Sequence, residues 1–196
     1  SPYSALASRT LLQLTSAMYA DSGAVDFVEL QHQLNQALTD DQHEGASSTL
    51  VCAYSIGGEI ALKHLGDSRA YHYDGASWAC LTQDHSFINE LKADGAASDD
   101  DYASCYGALM GYFVVDRMAD MSAVELASHQ TLSLKSGECL LLCSDGFYEV
   151  LHGQFLPMDE AISLKQWLID SIDQIKQIKP KQQLDNISAV LVRCMK

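Results

Sequence analysis

TLVCAYSIGGEIALKHLGDSRAYHYDGASWACL, residues 49–81, decides the fold class. Thr49 to Ser55 and Glu59 to Leu65 are apolar-rich runs of strand length around Gly57-Gly58, the turn chemistry of a tight hairpin. Arg69 to Tyr73 and Ala76 to Leu81 repeat the arrangement around Asp74-Gly75. Four short strands within 33 residues predict a largely antiparallel sheet.

Toward the N-terminus the period changes from two to that of a helix. Pro2 followed by Ala5, Leu6, Leu11, Leu12, Leu14 and Met18 predicts a helix with proline in its first turn. A second helix is expected from about Val25 to Leu38, closed by the polar stretch Thr39 to Gly45. Beyond the hairpins, Ser86 to Ala93 reads as a short helix and Asp94 to Asp101 as an exposed acidic loop. Residues 102–130 carry the weakest pattern, and Gly107 to Val115 fits helix or strand. Glu138 to Cys143 is a continuous apolar run, as expected of a strand covered on both faces, and it ends in Ser144-Asp145-Gly146. Met158 to Ile178 places apolar residues at 161, 164, 168, 172, 175 and 178, a helical stripe stopped by Pro180. Ile187 to Cys194 is a final strand, entered through Leu184-Asp185-Asn186. With no repeat or linker, residues 1–196 are expected to form one α+β domain.

Charge narrows the function classes. The chain carries 26 acidic residues against 12 Lys and Arg, a net −14. Residues 1–164 hold 23 acids and 6 bases, and residues 165–196 hold 3 acids and 6 bases. Such a surface repels nucleic acid and anionic membranes, so neither is expected as a partner. No run approaches the ~20 apolar residues of a membrane helix, and no signal peptide is visible, so a cytoplasmic protein is expected. Six cysteines without a Cys-x-x-Cys pair read as reduced thiols rather than disulfides or a zinc site.

Several enzyme classes lack their signatures. No cysteine is followed six residues later by arginine, and there is no G-x-x-x-x-G-K-[ST] loop, G-x-S-x-G elbow or H-E-x-x-H helix. Three aspartates stand out instead. Asp145 follows the buried strand, Asp185 precedes the last strand beside Asn186, and Asp84 follows the second hairpin beside His85. Each lies at a strand end, a rigid carrier able to bring distant carboxylates to one metal. Singly, Asp-Gly and Asp-Asn are also ordinary turn sequences.

Four stretches, in order, carry a resemblance: Gly66 to Tyr71 (GDSRAY), Leu81 to Ser86 (LTQDHS), Leu140 to Phe147 (LLLCSDGF) and Asp185 to Val190 (DNISAV), with Gly45 to Leu50 (GASSTL) ahead of them. Together they resemble the metal-dependent protein phosphatases of the 2C type, in their bacterial form. The resemblance implies an antiparallel β-sandwich flanked by helices in α-β-β-α layers, with a two-metal centre. It assigns metal ligation and catalysis to Asp145 and Asp185, a third and weaker metal position to Asp84, and structural roles to Asp67, Arg69 and His85. The implied cofactors are two or three Mg²⁺ or Mn²⁺ ions, which suit a site of oxygen ligands alone. The implied reaction is hydrolysis of phosphoserine and phosphothreonine in a phosphoprotein by metal-activated water, opposing a cognate kinase or acting on that kinase's targets.

The family's N-terminal arginine, early acidic ligand and bridging Asp-Gly precede the helix that begins here near Pro2, and none stands in this sequence. A domain truncated at its N-terminus, without its first strands, is therefore expected. The alternative reading is a non-catalytic module of the same fold that recognises a phosphoprotein or regulatory partner.

Overall fold

The computed structural model describes residues 3–93, 95, 98, 108–116, 118, 121–158, 161–180 and 185–195. They fall into two compact units, one of residues 1–67 and 84–132, the other of residues 68–83 and 133–196.

The first unit opens with α1 (Ser4–Ser22), which ends at Gly23 in the left-handed conformation. Helix α2 (Phe27–Ala37) starts where the Asp26 carboxylate accepts the backbone N–H of Glu29, an ordinary N-cap. Strand β1 (Ser47–Ser48) pairs with β6 (Phe113–Val114). The first hairpin is β2 (Leu50–Ile56) and β3 (Glu59–Leu65), as the sequence predicts, and β3 pairs on its other side with β7 (Ser128–Leu132). Short helices α3 (Phe87–Ala93) and α4 (Ser122–Glu125) complete the unit. Leu11, Leu30, Leu34, Leu50, Leu65 and Phe113 are buried in one cluster, with Phe27 edge-on to Phe113 at 5.2 Å. Buried Gln31 fastens β6 to α2: its Nε2 donates to the Val114 carbonyl at 2.6 Å and its Oε1 accepts the Val114 N–H at 3.1 Å.

The second unit is built on a four-stranded antiparallel sheet in the order β5-β4-β8-β9, with β4 (Arg69–Tyr73), β5 (Trp78–Cys80), β8 (Cys139–Cys143) and β9 (Ala189–Arg193). Strand β8, paired on both edges, also buries successive residues Cys139, Leu140 and Leu141, and Cys143 beyond them, so both its faces are covered and its sequence shows no alternation. One turn of helix, α5 (Asp145–Tyr148), follows it directly. Helix α6 (Leu164–Ile178) buries Trp167 and Ile175 with Tyr71, Leu141, Phe147 and Leu191. Phe155 sits among the rings, edge-on to Tyr71 at 4.7 Å and to Trp78 at 5.6 Å.

The differences from the sequence reading have local causes. The two hairpins do not share a sheet: the first joins β7 and the second joins β8 and β9. Helix α6 begins at Leu164 rather than near Met158, because Ser163 caps it by accepting the Gln166 N–H at 3.1 Å. Of the stretch fitting helix or strand, Phe113–Val114 is strand and Gly107 lies outside the described residues. The acidic loop at Asp94 to Asp101 also falls almost wholly outside them. Among the described residues the five cysteines are unbridged, and no helix is long and apolar enough to cross a membrane.

Candidate metal centre

Asp145 and Asp185 are brought to one end of the second unit's sheet by register. Strands β8 and β9 run antiparallel, and Cys143 pairs with Ala189, so the exit of β8 lies beside the entry to β9. Arg69 also pairs with Cys143, adding the start of β4 to the same end.

Ser144 and Gly146 make the junction tight. The Ser144 N–H donates to the Ser188 carbonyl at 3.0 Å, and Ser144 Oγ accepts the Ser188 N–H at 3.0 Å while donating to the Asn186 carbonyl at 3.2 Å. Ser144 is the N-cap of α5 but makes no capping bond, because its hydroxyl is turned across to the β9 entry. At Gly146 a β-carbon would stand 2.5 Å from the Asn186 carbonyl oxygen and 3.4 Å from the Asp185 carbonyl carbon. Only glycine lets the two turns approach this closely.

Each aspartate is fixed by its own turn. Asp145 Oδ1 accepts the Gly146 N–H at 2.8 Å, and Asp185 Oδ1 accepts the Asn186 N–H at 2.7 Å. Asp145 is half-buried and Asp185 exposed. Arg69 braces the turn from below, its guanidinium 4.0 Å from the centre of the Tyr148 ring and its Nη1 donating to Tyr71 Oη at 3.4 Å. Burial pushes the Tyr71 hydroxyl up to about 12 although the Arg69 bond opposes it, so Tyr71 stays protonated at neutral pH.

Asp84 belongs to the first unit. Asn89 Nδ2 donates to its carbonyl at 2.9 Å. The next residue, His85, is held on several sides. Its Nδ1 accepts the Gly66 N–H at 3.0 Å, its own N–H donates to the Gly66 carbonyl at 2.9 Å, and its carbonyl accepts from Met110 N–H at 2.9 Å and from Gly111 N–H at 3.3 Å. The His64 ring stacks on it at 4.6 Å. Burial pushes the His85 imidazole below its ordinary value, against the pull of the Asp84 charge.

Two glycines permit this packing. A β-carbon at Gly66, whose φ is +108°, would lie 2.2 Å from Thr49 Cγ2, and one at Gly111 would lie 2.8 Å from His85 Cβ. These contacts pin Gly66 and His85 to each other and to Thr49 and Gly111.

Among the described residues no group of three or more His, Cys, Asp or Glu gathers at metal-binding distance. The second unit offers two aspartates, Asp145 and Asp185, on turns that meet at Gly146 and Asn186. That donor set fits a small hard cation, which keeps several waters and takes only one or two protein carboxylates. The sequence reading singles out the aspartates but passes over Ser144 and Asn186, whose hydroxyl and carbonyl close the junction. The one available signal was a serine preceding Asp-Gly at the end of a buried strand.

No family model matches the chain. The protein phosphatase PhpP of Streptococcus pneumoniae is 27% identical over 128 residues, a stretch covering 65% of this chain and 50% of that protein. The chain thus spans about half the length of this relative. Among solved structures, the serine/threonine phosphatase of S. agalactiae superposes with a TM-score of 0.73 at 21% identity, covering 95% of this chain and 80% of that one. The catalytic domain of the serine/threonine phosphatase PstP, solved with two manganese ions, superposes with a TM-score of 0.65 at 19% identity over 97% of this chain and 81% of that one. With its antiparallel sheets and helices, the chain shares the fold of the bacterial serine/threonine phosphatases it superposes on, and it is similar in sequence to a bacterial protein phosphatase over 65% of its length.

Proposed function

We propose that residues 1–196 act as one phosphatase domain that hydrolyses phosphoserine and phosphothreonine in a phosphoprotein, in the cytoplasm and with Mg²⁺ or Mn²⁺. The observation that carries this reading is the Gly146–Asn186 contact, which seats the Asp145 and Asp185 turns against each other. Support comes also from PhpP, named a protein phosphatase, and from PstP, solved with two manganese ions. A pair of such ions would neutralise charge on the transferring phosphoryl group and lower the pKa of a bound water.

On this reading the chain's own residues divide the work. Asp145 and Asp185 hold the metal and orient it, each with one carboxylate oxygen fixed by its neighbour's backbone N–H. Ser144 keeps the two turns in register. Arg69 and Tyr148 hold α5 against β4 so that Asp145 does not swing. Asp84 supplies the third, weaker metal position. The substrates are phosphoproteins that are targets of a cognate serine/threonine kinase, or the kinase itself.

Hydrolysis of a phosphothreonine peptide by the full chain tests the proposal. Activity should require Mn²⁺ or Mg²⁺, vanish with chelator, and fall by at least about a hundredfold in Asp145→Asn, since misplacing or removing one element of the site costs on that order. Turnover that ignores metal, chelator and the substitution would sink it.

A further inference from the structure

We propose that His85 is a positioning residue for Asp84, acting through the hydrogen bond that its Nδ1 accepts from the Gly66 N–H. The inference rests on the reading of Asp84 as a metal ligand.

Four observations carry it. The Gly66–His85 pair is reciprocal: Gly66 N–H to His85 Nδ1 at 3.0 Å and His85 N–H to the Gly66 carbonyl at 2.9 Å. Two anchors on one residue fix both its position and its orientation. Gly66 itself is confined, because it follows β3 directly and Thr49 fills the place a β-carbon would take, with its Cγ2 2.2 Å from that point. On the other side, the Met110 and Gly111 N–H groups hold the His85 carbonyl, and the His64 ring covers the imidazole. Asp84 has a carbonyl fixed by Asn89 and is followed by a residue that cannot rotate. A carboxylate one position from such an anchor is presented in a narrow range of directions, which a weak metal position needs because it has little binding energy to spend on ordering its ligand.

Nδ1 must stay unprotonated to accept from Gly66, so the ring carries its proton on Nε2. This makes the role specific to one atom. In asparagine, Oδ1 occupies nearly the place of imidazole Nδ1 and accepts in the same way. In glutamine the corresponding oxygen falls near the place of Nε2, too far along the side chain to meet the Gly66 N–H. A residue that merely fills space has no reason to prefer asparagine over glutamine or leucine.

The test uses amide-resolved NMR on the full chain and its His85→Asn, His85→Gln, His85→Leu and Asp84→Asn variants. Two quantities are read: hydrogen exchange at Gly66, and the Mn²⁺ concentration that half-broadens the Asp84 amide. Losing one hydrogen bond should speed Gly66 exchange by about fivefold in His85→Leu and His85→Gln, with His85→Asn within about twofold of the parent. The Mn²⁺ concentration at Asp84 should rise several-fold in the same two variants and stay near the parent value in His85→Asn. Should His85→Leu not fold, His85→Gln carries the comparison.

The proposal is overturned if asparagine behaves like leucine, if glutamine behaves like histidine, or if Gly66 exchange quickens while the Mn²⁺ response of Asp84 does not move. If Mn²⁺ leaves the parent Asp84 amide untouched and Asp84→Asn changes nothing, the metal reading of Asp84 fails and takes the proposal with it. Gly66 exchange involves no metal, so it tells that failure from a failure of the clamp.

Discussion

Gly146→Ala sets two effects of opposite sign against each other. Gly146 lies in α5, with no left-handed backbone to demand glycine, so alanine would ordinarily gain up to about 1 kcal/mol from helix propensity. The added β-carbon would stand 2.5 Å from the Asn186 carbonyl oxygen and 3.1 Å from its carbon. A carbon and an oxygen in contact settle near ~3.3 Å, so the two turns must part by about 0.8 Å. The obstructing atoms are backbone, and no side-chain rotation relieves them. Overpacking of this kind costs about 1–3 kcal/mol, and parting the turns also stretches the Ser144 bonds to Asn186 and Ser188, worth about 1 kcal/mol each. The steric and hydrogen-bond losses exceed the propensity gain. A net loss of about 1–3 kcal/mol lowers the melting temperature by roughly 3–10 °C in a chain of this size. Displacing Asp145 from Asp185 by nearly an ångström should lower phosphopeptide turnover by about a hundredfold. Thermal melting by circular dichroism and a Mn²⁺-dependent phosphopeptide assay measure the two. A Gly146→Ala chain that melts at or above the parent would refute the contact, because only the propensity gain would then be acting.

Gln31→Leu leaves the Val114 N–H and carbonyl without their bonds beneath α2, and should lower the stability read from urea unfolding by about 2–4 kcal/mol; a loss under about 1 kcal/mol would contradict the role given to Gln31. The Lys135 N–H and His72 Nε2 both donate to Glu138 Oε2, at 2.9 and 3.0 Å, and hold its carboxyl below the usual value. Because the folded value lies below the unfolded one, this stabilisation is whole above the ordinary glutamate range and is lost as the pH falls through the lower, folded value. Glu138→Gln should therefore flatten the acid side of a melting-temperature profile, and an unchanged slope would remove the pair from the account. Burial pushes the thiols of Cys143 and Cys52 up to about 12 and about 11, so at pH ~8 roughly one Cys143 in ten thousand is thiolate. Alkylation followed by mass spectrometry should label exposed Cys80 well before either, and early labelling of Cys143 would show that β8 opens.

The elements that bury a regular face are those legible in sequence. The hairpin strands β2 to β5, the apolar β8 and the stripe of α6 declare themselves through period and turn residues. Strand β7 does not, because four of its five residues, Ser128 to Thr131, are exposed on the edge of a sheet, and an edge strand needs no alternation. The separation of the two hairpins into different sheets is likewise invisible, since pairing with β7 or β8 is decided by residues more than sixty positions away. At the candidate site the aspartates can be picked out, yet the contact that joins them cannot. It depends on the β8–β9 register and on a serine hydroxyl that leaves its capping position to bond across strands.

Packing accounts for part of each motif and leaves a remainder. Gly66 is required by Thr49 and by its positive φ, Gly146 by the Asn186 carbonyl, Gly111 by His85 and Leu65. Ser144 is required by two backbone groups at the β9 entry, and Arg69 by Tyr148 and Tyr71. The aspartates differ. A turn such as Ser144-Asp145-Gly146 would keep its strand register with asparagine at its centre, whose side-chain oxygen accepts the same backbone N–H. What asparagine cannot supply is charge, which a hard cation draws from its carboxylate ligands. The fold thus fixes the small and bridging residues by contact, whereas the charge of the two aspartates meets no packing need. Asp145→Asn and Asp185→Asn should on this ground leave stability unchanged in metal-free buffer while abolishing metal-dependent turnover, and a clear loss of stability in either would mean that the carboxylates serve the fold rather than a metal.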